Sequence, residues 1–234
     1  MKNSEHTSSR FDTELDAARN SVMQMGELVR EQFRLAIESL HSGDTVLMRR
    51  VLDLGGRVNS LEVDIDRKCN LILAQRQPEA IDLRTILTAL KITTDLERIG
   101  DQTELIIGRA EMLLQHGVLD LPRSVDISHC ASLALNMADN AMEAFARSDT
   151  SIASQVIRQN EKVNEEYDFI TRNLICHMLE EPRSITAALG FLCVIKAIER
   201  IADHAKNISE YVIFMVKGYD VRHASIEEME KKAL

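Results

Sequence analysis

The residues best suited to chemistry occur twice. Glu97-Arg98-Ile99-Gly100-Asp101 and Glu199-Arg200-Ile201-Ala202-Asp203 are nearly the same string, and 199 − 97 and 203 − 101 both give 102. In each copy two carboxylates stand four residues apart, on one face of a helix. Like charges at that spacing repel and destabilise an isolated helix. A single pair of this kind usually marks a solvated surface; two pairs in matched positions ask for a cation. Each pair also continues an apolar line. Leu83, Leu87, Leu90 and Thr94 lead by helical steps to Glu97, and Ile185, Leu189, Leu192 and Lys196 lead to Glu199. The carboxylates therefore lie on the face that begins as core, or at its margin.

A metal site needs oxygens from more than one helix. In the preceding helical stretch Glu62 and Asp66 are again four apart, with Asn59 one turn earlier. The counterpart in the second half is weaker: Asn164 with Asp168, and Tyr167 where Glu62 would fall. The candidate metal ligands are thus Glu97, Asp101, Glu199 and Asp203, with Glu62 and Asp66 as helpers. Hard oxygen donors without convincing His or Cys partners favour Mg²⁺, Mn²⁺ or iron over zinc. Arg98 and Arg200 can ion-pair across a helix interface or bind an anion such as phosphate. His204 is turned about 100° from the acid seam, which suits a surface or supporting role. His129 and His177 read as ordinary helix residues. There is no Gly-rich phosphate loop, Ser/His/Asp set or HExxH, so no catalytic residue and no organic cofactor is expected. A carboxylate-bundle enzyme or metal store is the alternative, although the Glu-x-x-His pattern of di-iron bundles is absent.

The elements that must hold these side chains are helices. Apolar residues make up 45% of the 234 positions, yet aromatics are only 4% and Trp is missing, so the core must be Leu, Ile, Val, Met and Ala. Only 3 Pro and 9 Gly interrupt the chain. That combination favours long helices over sheets. The apolar spacing predicts a first helix from Phe11 to the His41-Ser42-Gly43 break, with residues 1 to about 9 frayed. A second is capped by Asp44 or Thr45, runs through Gly55-Gly56 with a possible kink there, and stops near Pro78. A third, capped by Asp82, ends near His116-Gly117. Gly100 and Gly108 within it suggest a close helix crossing. Residues 117–125, with Pro122, form the linker.

The pattern then starts again. Ala141-Met142-Glu143 matches Ala36-Ile37-Glu38, Asp149-Thr150 matches Asp44-Thr45, and Val163-Asn164 matches Val58-Asn59, all offset by 105. Pro182 matches Pro78 at 104. The expected fold is all-α: two tandem three-helix bundles, six long helices in all, over residues 10–118 and 124–220. Residues 221–234 are left as a C-terminal tail, acidic then basic.

A formal net charge of −9 argues against nucleic-acid binding and against attraction to anionic lipid. No stretch approaches the length of a membrane span, and the N-terminus lacks a signal-peptide core. Cys69, Cys130, Cys176 and Cys193 are scattered among apolar neighbours and are expected to be buried, reduced thiols of a cytoplasmic protein.

Over nearly its whole length the sequence closely resembles the PhoU family, the phosphate-specific transport accessory and regulatory proteins of bacteria. The resemblance is carried by Arg76-Gln77-Pro78, Asp82-Leu83-Arg84, Asp95-Leu96-Glu97-Arg98-Ile99-Gly100-Asp101, Ile198-Glu199-Arg200-Ile201-Ala202-Asp203-His204, and Val216-Lys217-Gly218 with Asp220 and Arg222-His223. It implies two similar three-helix bundles, a homodimer, and a negative regulator of the phosphate-starvation response. The implied partners are the ATPase of the phosphate ABC transporter and a membrane sensor histidine kinase. It also implies metal at the acid strings, in some members as iron clusters. Two departures stand out: Asn164 where relatives often carry Asp, and Ala202 for the Gly of the second string. The first removes a charge and points to unequal or single metal occupancy.

Overall fold

The computed structural model describes residues 3–76, 78, 80–115, 117 and 126–222, with side chains from residue 11 onward. Among the described residues there are six α-helices and no strand. They are α1 (Asn3–Ser42), α2 (Thr45–Arg76), α3 (Ala80–Gln115), α4 (Ile127–Arg147), α5 (Thr150–Glu180) and α6 (Ile185–Lys217). A single 3₁₀ turn, Pro182–Ser184, separates α5 from α6, where Pro182 cannot donate to a continuing helix. Residues 118–125 of the expected 117–125 linker and most of the tail, 223–234, lie outside the described residues.

Local chemistry sets the helix ends. Asp44 Oδ1 accepts from Val46 N at 2.7 Å, making Asp44, not Thr45, the cap of α2. Asp149 does the same for α5 through Ser151 N and Ile152 N, at 2.8 and 3.1 Å. Gly117 and Gly218 carry the left-handed conformation after α3 and α6, at φ 68° and 76°. Two expectations fail here. Helix α1 starts at Asn3, well before Phe11, because polar residues extend a helix that packing has already nucleated. Asp82 lies inside the first turn of α3, where it complements the helix dipole without capping it. Gly55-Gly56 leaves α2 continuous.

Helices α1, α2 and α3 pack pairwise on one another, and so do α4, α5 and α6. The two trios are then joined through α1 with α4 and, far more extensively, through α3 with α6. One continuous core of aliphatic side chains results, with Phe33, Phe145 and Phe191 fully buried. The α3–α6 seam is antiparallel, read from its contacts. Arg84 Nε donates to Met215 O at 3.1 Å, Thr88 Oγ1 to Tyr211 O at 3.4 Å, and Asp95 meets His204. Farther along, a methyl added at Gly190 would touch Leu113 at 3.0 Å. Gly100 is likewise closely packed, 3.3 Å from Gln32 Oε1 for an added methyl, but Gly108 faces open space and marks no crossing.

The turn between α4 and α5 contains a correctable defect. Gly43 takes a positive φ of 67° before the Asp44 cap; its repeat counterpart, Ser148, takes φ 52° before the Asp149 cap. A Cβ in that region costs about 1 kcal/mol. Ser148→Gly should therefore stabilise by about 0.5–1 kcal/mol. Asp149→Ala should destabilise by about 1 kcal/mol, since it strips two amides of their acceptor. Chemical denaturation of the two variants measures both signs.

Candidate metal centre

In the first repeat the four acids share one patch formed by α2 and α3. Glu62 and Asp66 come from α2, Glu97 and Asp101 from α3. Burial pushes the Glu97 carboxyl above its usual range, and Asp101 and Glu62 push it further while Arg98 opposes. Glu62 is raised for the same reasons, by burial, then by Asp66 and Asp101. Glu62 and Glu97 thus each feel an acid on the other helix, Asp101 and Glu62 respectively. The apolar line leading to Glu97 runs along the margin of the core, not through it: Leu87 is an exposed residue. Arg98 is paired within its own helix, to Glu97 Oε2 at 3.5 Å and Asp101 Oδ2 at 3.6 Å, and not across an interface.

Two further groups line this region. Glu104, one turn beyond Asp101 and Gly100, lies over Gly55 so closely that a methyl there would stand 1.8 Å from its Oε1. Gln32 of α1 is fully buried; its Nε2 donates to Val51 O at 3.3 Å while its Oε1 has no partner. Gly55 thus acts by making room for a carboxylate.

The second repeat is built differently. Gly55 plus the 105 offset is Asn160, and Asn160 Nδ2 donates to Asp203 Oδ1 at 3.1 Å. Glu199 is only 12% exposed and has Lys196 Nζ 2.6 Å from its Oε2. That oxygen is buried and receives no hydrogen bond, so the contact is a coulombic one. Lys196 also lies over the Tyr167 ring, 5.1 Å from its centroid. The second pair therefore already has a resident cation. In the first repeat Thr94 stands where Lys196 does, at the 102 offset. Neither Asn160 nor Lys196 was singled out from sequence, yet the repeat offset marks both as sites of divergence.

Donor chemistry in the first repeat fits a hard divalent cation: four carboxylates from two helices and the partnerless Gln32 Oε1 nearby. In the second, Asn160 Oδ1 is a buried oxygen without a hydrogen-bond partner, while Glu199 Oε2 already has the Lys196 ammonium beside it. As the side chains are placed, no three His, Cys, Asp or Glu groups among the described residues converge as a metal set. The cysteines add no ligand. Burial pushes the Cys130 thiol up to about 12, helped by Glu166 and Glu199, and Cys69 to about 11, helped by Asp66. A protonated thiol is a poor ligand at neutral pH. All four cysteines are free, and Cys69 and Cys130 are buried; Cys176 is exposed and Cys193 half-buried, because they sit off the inner faces of α5 and α6.

His204 does not stand beside the acids. Its Nδ1 lies 2.6 Å from Asp95 Oδ1 across the α3–α6 seam, and Asn207 Nδ2 donates to the same oxygen at 3.1 Å. Asp95 is 6% exposed, so these partners satisfy a buried charge.

The raised Glu97 carboxyl fixes a pH dependence. A carboxyl whose folded pKa lies above its unfolded value costs stability above the folded pKa, and the cost vanishes as pH falls toward 4.5. Without divalent metal, Glu97→Gln should melt higher than the parent at pH 7.5, because the amide keeps a donor for Asp101 and removes the repulsion. The gap should close as pH is lowered toward 4.5. Melting temperatures across that range in chelator test it; a gap of opposite sign or one flat with pH refutes the repulsion.

Comparison with known proteins accords with this architecture. The PhoU domain model matches residues 22–110 and again 127–212. The phosphate-specific transport system accessory protein PhoU homolog of Burkholderia sp is 39% identical over 232 residues, 98% of each chain. PhoU of Escherichia coli K12 is 37% identical over 97% of this chain and 93% of its own. The crystal structure of PhoU from Pseudomonas aeruginosa superposes with a TM-score of 0.86 at 38% identity, covering 89% of this chain and all of that one. That of the phosphate transport system regulatory protein PhoU from Streptococcus pneumoniae gives 0.82 at 26% identity, covering 90% and 99%. Two copies of the domain matched in order, with relatives aligned over nearly the whole chain, establish that the chain belongs to the PhoU family.

Proposed function

We propose that this protein is a cytoplasmic negative regulator of the phosphate-starvation response and modulator of phosphate uptake. It acts by contact, as an adaptor between the ATPase of a phosphate ABC transporter and a sensor histidine kinase, and works as a homodimer. The single observation that carries this reading is the end-to-end likeness to proteins named phosphate-specific transport accessory proteins. No described helix is long and apolar enough to cross a membrane, which is compatible with a protein that reaches membrane partners from one side. A non-enzymatic role accords with the relatives' names, which describe accessory and regulatory proteins.

Metal binding belongs to the same proposal. Glu62, Asp66, Glu97 and Asp101 would hold Mg²⁺, Mn²⁺ or iron through carboxylate oxygens, and the ion would neutralise acids that now repel. Glu199 and Asp203 form the weaker site, because Lys196 and Asn160 already serve them. The metal-store or carboxylate-bundle enzyme reading rests on those acid clusters alone.

Deleting the gene should leave starvation signalling on in phosphate-rich medium; unchanged phosphate-regulated expression would refute the regulatory role. Affinity capture from phosphate-replete cells should recover the transporter ATPase and the kinase. For the metal, Mn²⁺ should raise the melting temperature. A site filled at a hundred times its Kd contributes about 2.7 kcal/mol. Asp101→Asn should remove most of the rise and Asp203→Asn less of it. Equal losses would show that the two sites are equivalent, against the argument from Lys196.

A further inference from the structure

The antiparallel seam has a consequence for Arg98 and Arg200. Helices α3 and α6 are repeat counterparts, so a residue and its equivalent 102 positions later lie far apart unless they sit where the two helices cross in register. The Asp95–His204 pair fixes that register. Three and four steps along α3 are matched by three and four steps back along α6, so Arg98 falls level with Ile201 and Ile99 with Arg200. Equivalent residues meet at this one place, and the residues that meet are the two arginines of the repeated string.

A cavity of about 590 Å³ lies there, lined by Arg98, Gln102, Arg200, Asp203, His204, Lys206 and Asn207. Gln102 and His204 are again repeat counterparts. Lys206 stands where the first repeat has Glu104, so divergence has made the cavity more cationic. Three permanent cations face one lining carboxylate, Asp203, which accepts from Asn160. Arg200 is exposed and has no hydrogen bond or ion pair among the described residues. Lys206 reaches its nearest acid, Glu210, only at 3.9 Å, and Arg98 holds its two acids only at 3.5 and 3.6 Å. Beneath them buried Asp95 engages His204 Nδ1 and Asn207 Nδ2, which fixes two polar side chains of the wall and commits that charge to them.

We infer that this cleft between α3 and α6 binds a small, multiply charged oxyanion of the orthophosphate type, clamped between Arg98, Arg200 and Lys206. Guanidinium groups present paired donors that match tetrahedral oxyanions, and a lysine adds a mobile point charge. Two arginines brought from different repeats close the clamp from opposite helices. The asymmetric members of the wall, Lys206 and Asn207, give the anion one preferred side. The inference stands on the cavity and does not depend on the adaptor reading.

Isothermal titration of the full chain with orthophosphate, pyrophosphate and sulfate, in buffers free of other oxyanions, tests it. The parent should bind at least one of them saturably, with a stoichiometry near one per chain. Arg200→Gln and Lys206→Gln should each weaken binding roughly ten-fold or more, the effect of losing a charge-assisted hydrogen bond. Arg57→Gln, an exposed arginine on α2, should leave the affinity unchanged. Arg200 has no partner to lose, and a circular-dichroism melt coincident with the parent's keeps its variant interpretable. Absence of saturable binding in the parent overturns the inference. So does binding that survives Arg200→Gln and Lys206→Gln, or that Arg57→Gln weakens equally, since the attraction would then be diffuse.

Discussion

The packing of α3 against α6 is the constraint from which the rest follows. Each of these helices closes its own three-helix bundle and at the same time faces the other across the seam. Two of its faces are therefore committed to burial, and polar chemistry is confined to the strips between them. This is why the acids appear at the margin of the core, and why Arg98 and Arg200, one residue on, reach the seam cleft, which Asp203 alone of the four string acids also lines. A helix rotates about 100° per residue, so adjacent residues in one short string serve different surroundings. The repeated string is one sequence motif supplying two environments.

Duplication supplied the frame, and divergence then separated the two halves electrostatically. Caps and turns were retained: Asp44 and Asp149 cap the second helix of each repeat, after left-handed Gly43 and Ser148. The acid sites were not. In the first repeat Gly55 leaves space for Glu104, and four carboxylates repel across α2 and α3. In the second, Asn160 fills the equivalent of that space and binds Asp203, while Lys196 neutralises Glu199. Unpaired carboxylates are costly unless something compensates. The second half compensates with its own side chains, whereas the first has only the long contacts of Arg98 to Glu97 and Asp101.

Periodicity made the helices, their order and the repeat readable from sequence, because burying one face imposes a 3.6-residue pattern that survives any later detail. Pairing Glu62 and Asp66 with Glu97 and Asp101 was also readable, since sequential antiparallel helices present facing acids at helical spacing. The seam was not. Asp95 sits beside the acid string as one polar residue among several, and nothing local shows that it is buried against His204 and Asn207 from more than a hundred positions away. Lys196 reads as an ordinary surface cation until the fold lays it over Tyr167 and beside Glu199. The start of α1 was missed for the converse reason: Asn3 onward has no apolar period, and its helix is an extension of a packed one.

A chain of net charge −9 looks ill suited to hold an anion, and distance decides otherwise. At physiological ionic strength charges are screened beyond about 8 Å, so most of the acidic surface contributes little inside the cleft. What counts most there is the set of charges that line the cleft, and among these three cations face one carboxylate. The same screening explains why the first acid patch keeps its strain: its carboxylates act on each other at close range, partly out of water, where salt penetrates poorly. Arg98 belongs to both clusters. Its contacts to Glu97 and Asp101 are long, so neither cluster holds it fully. Neutralising those acids with a cation would weaken their hold on the guanidinium and leave it freer for the cleft. By linkage, an anion drawing Arg98 away would leave the acids more exposed to one another and more receptive to a cation.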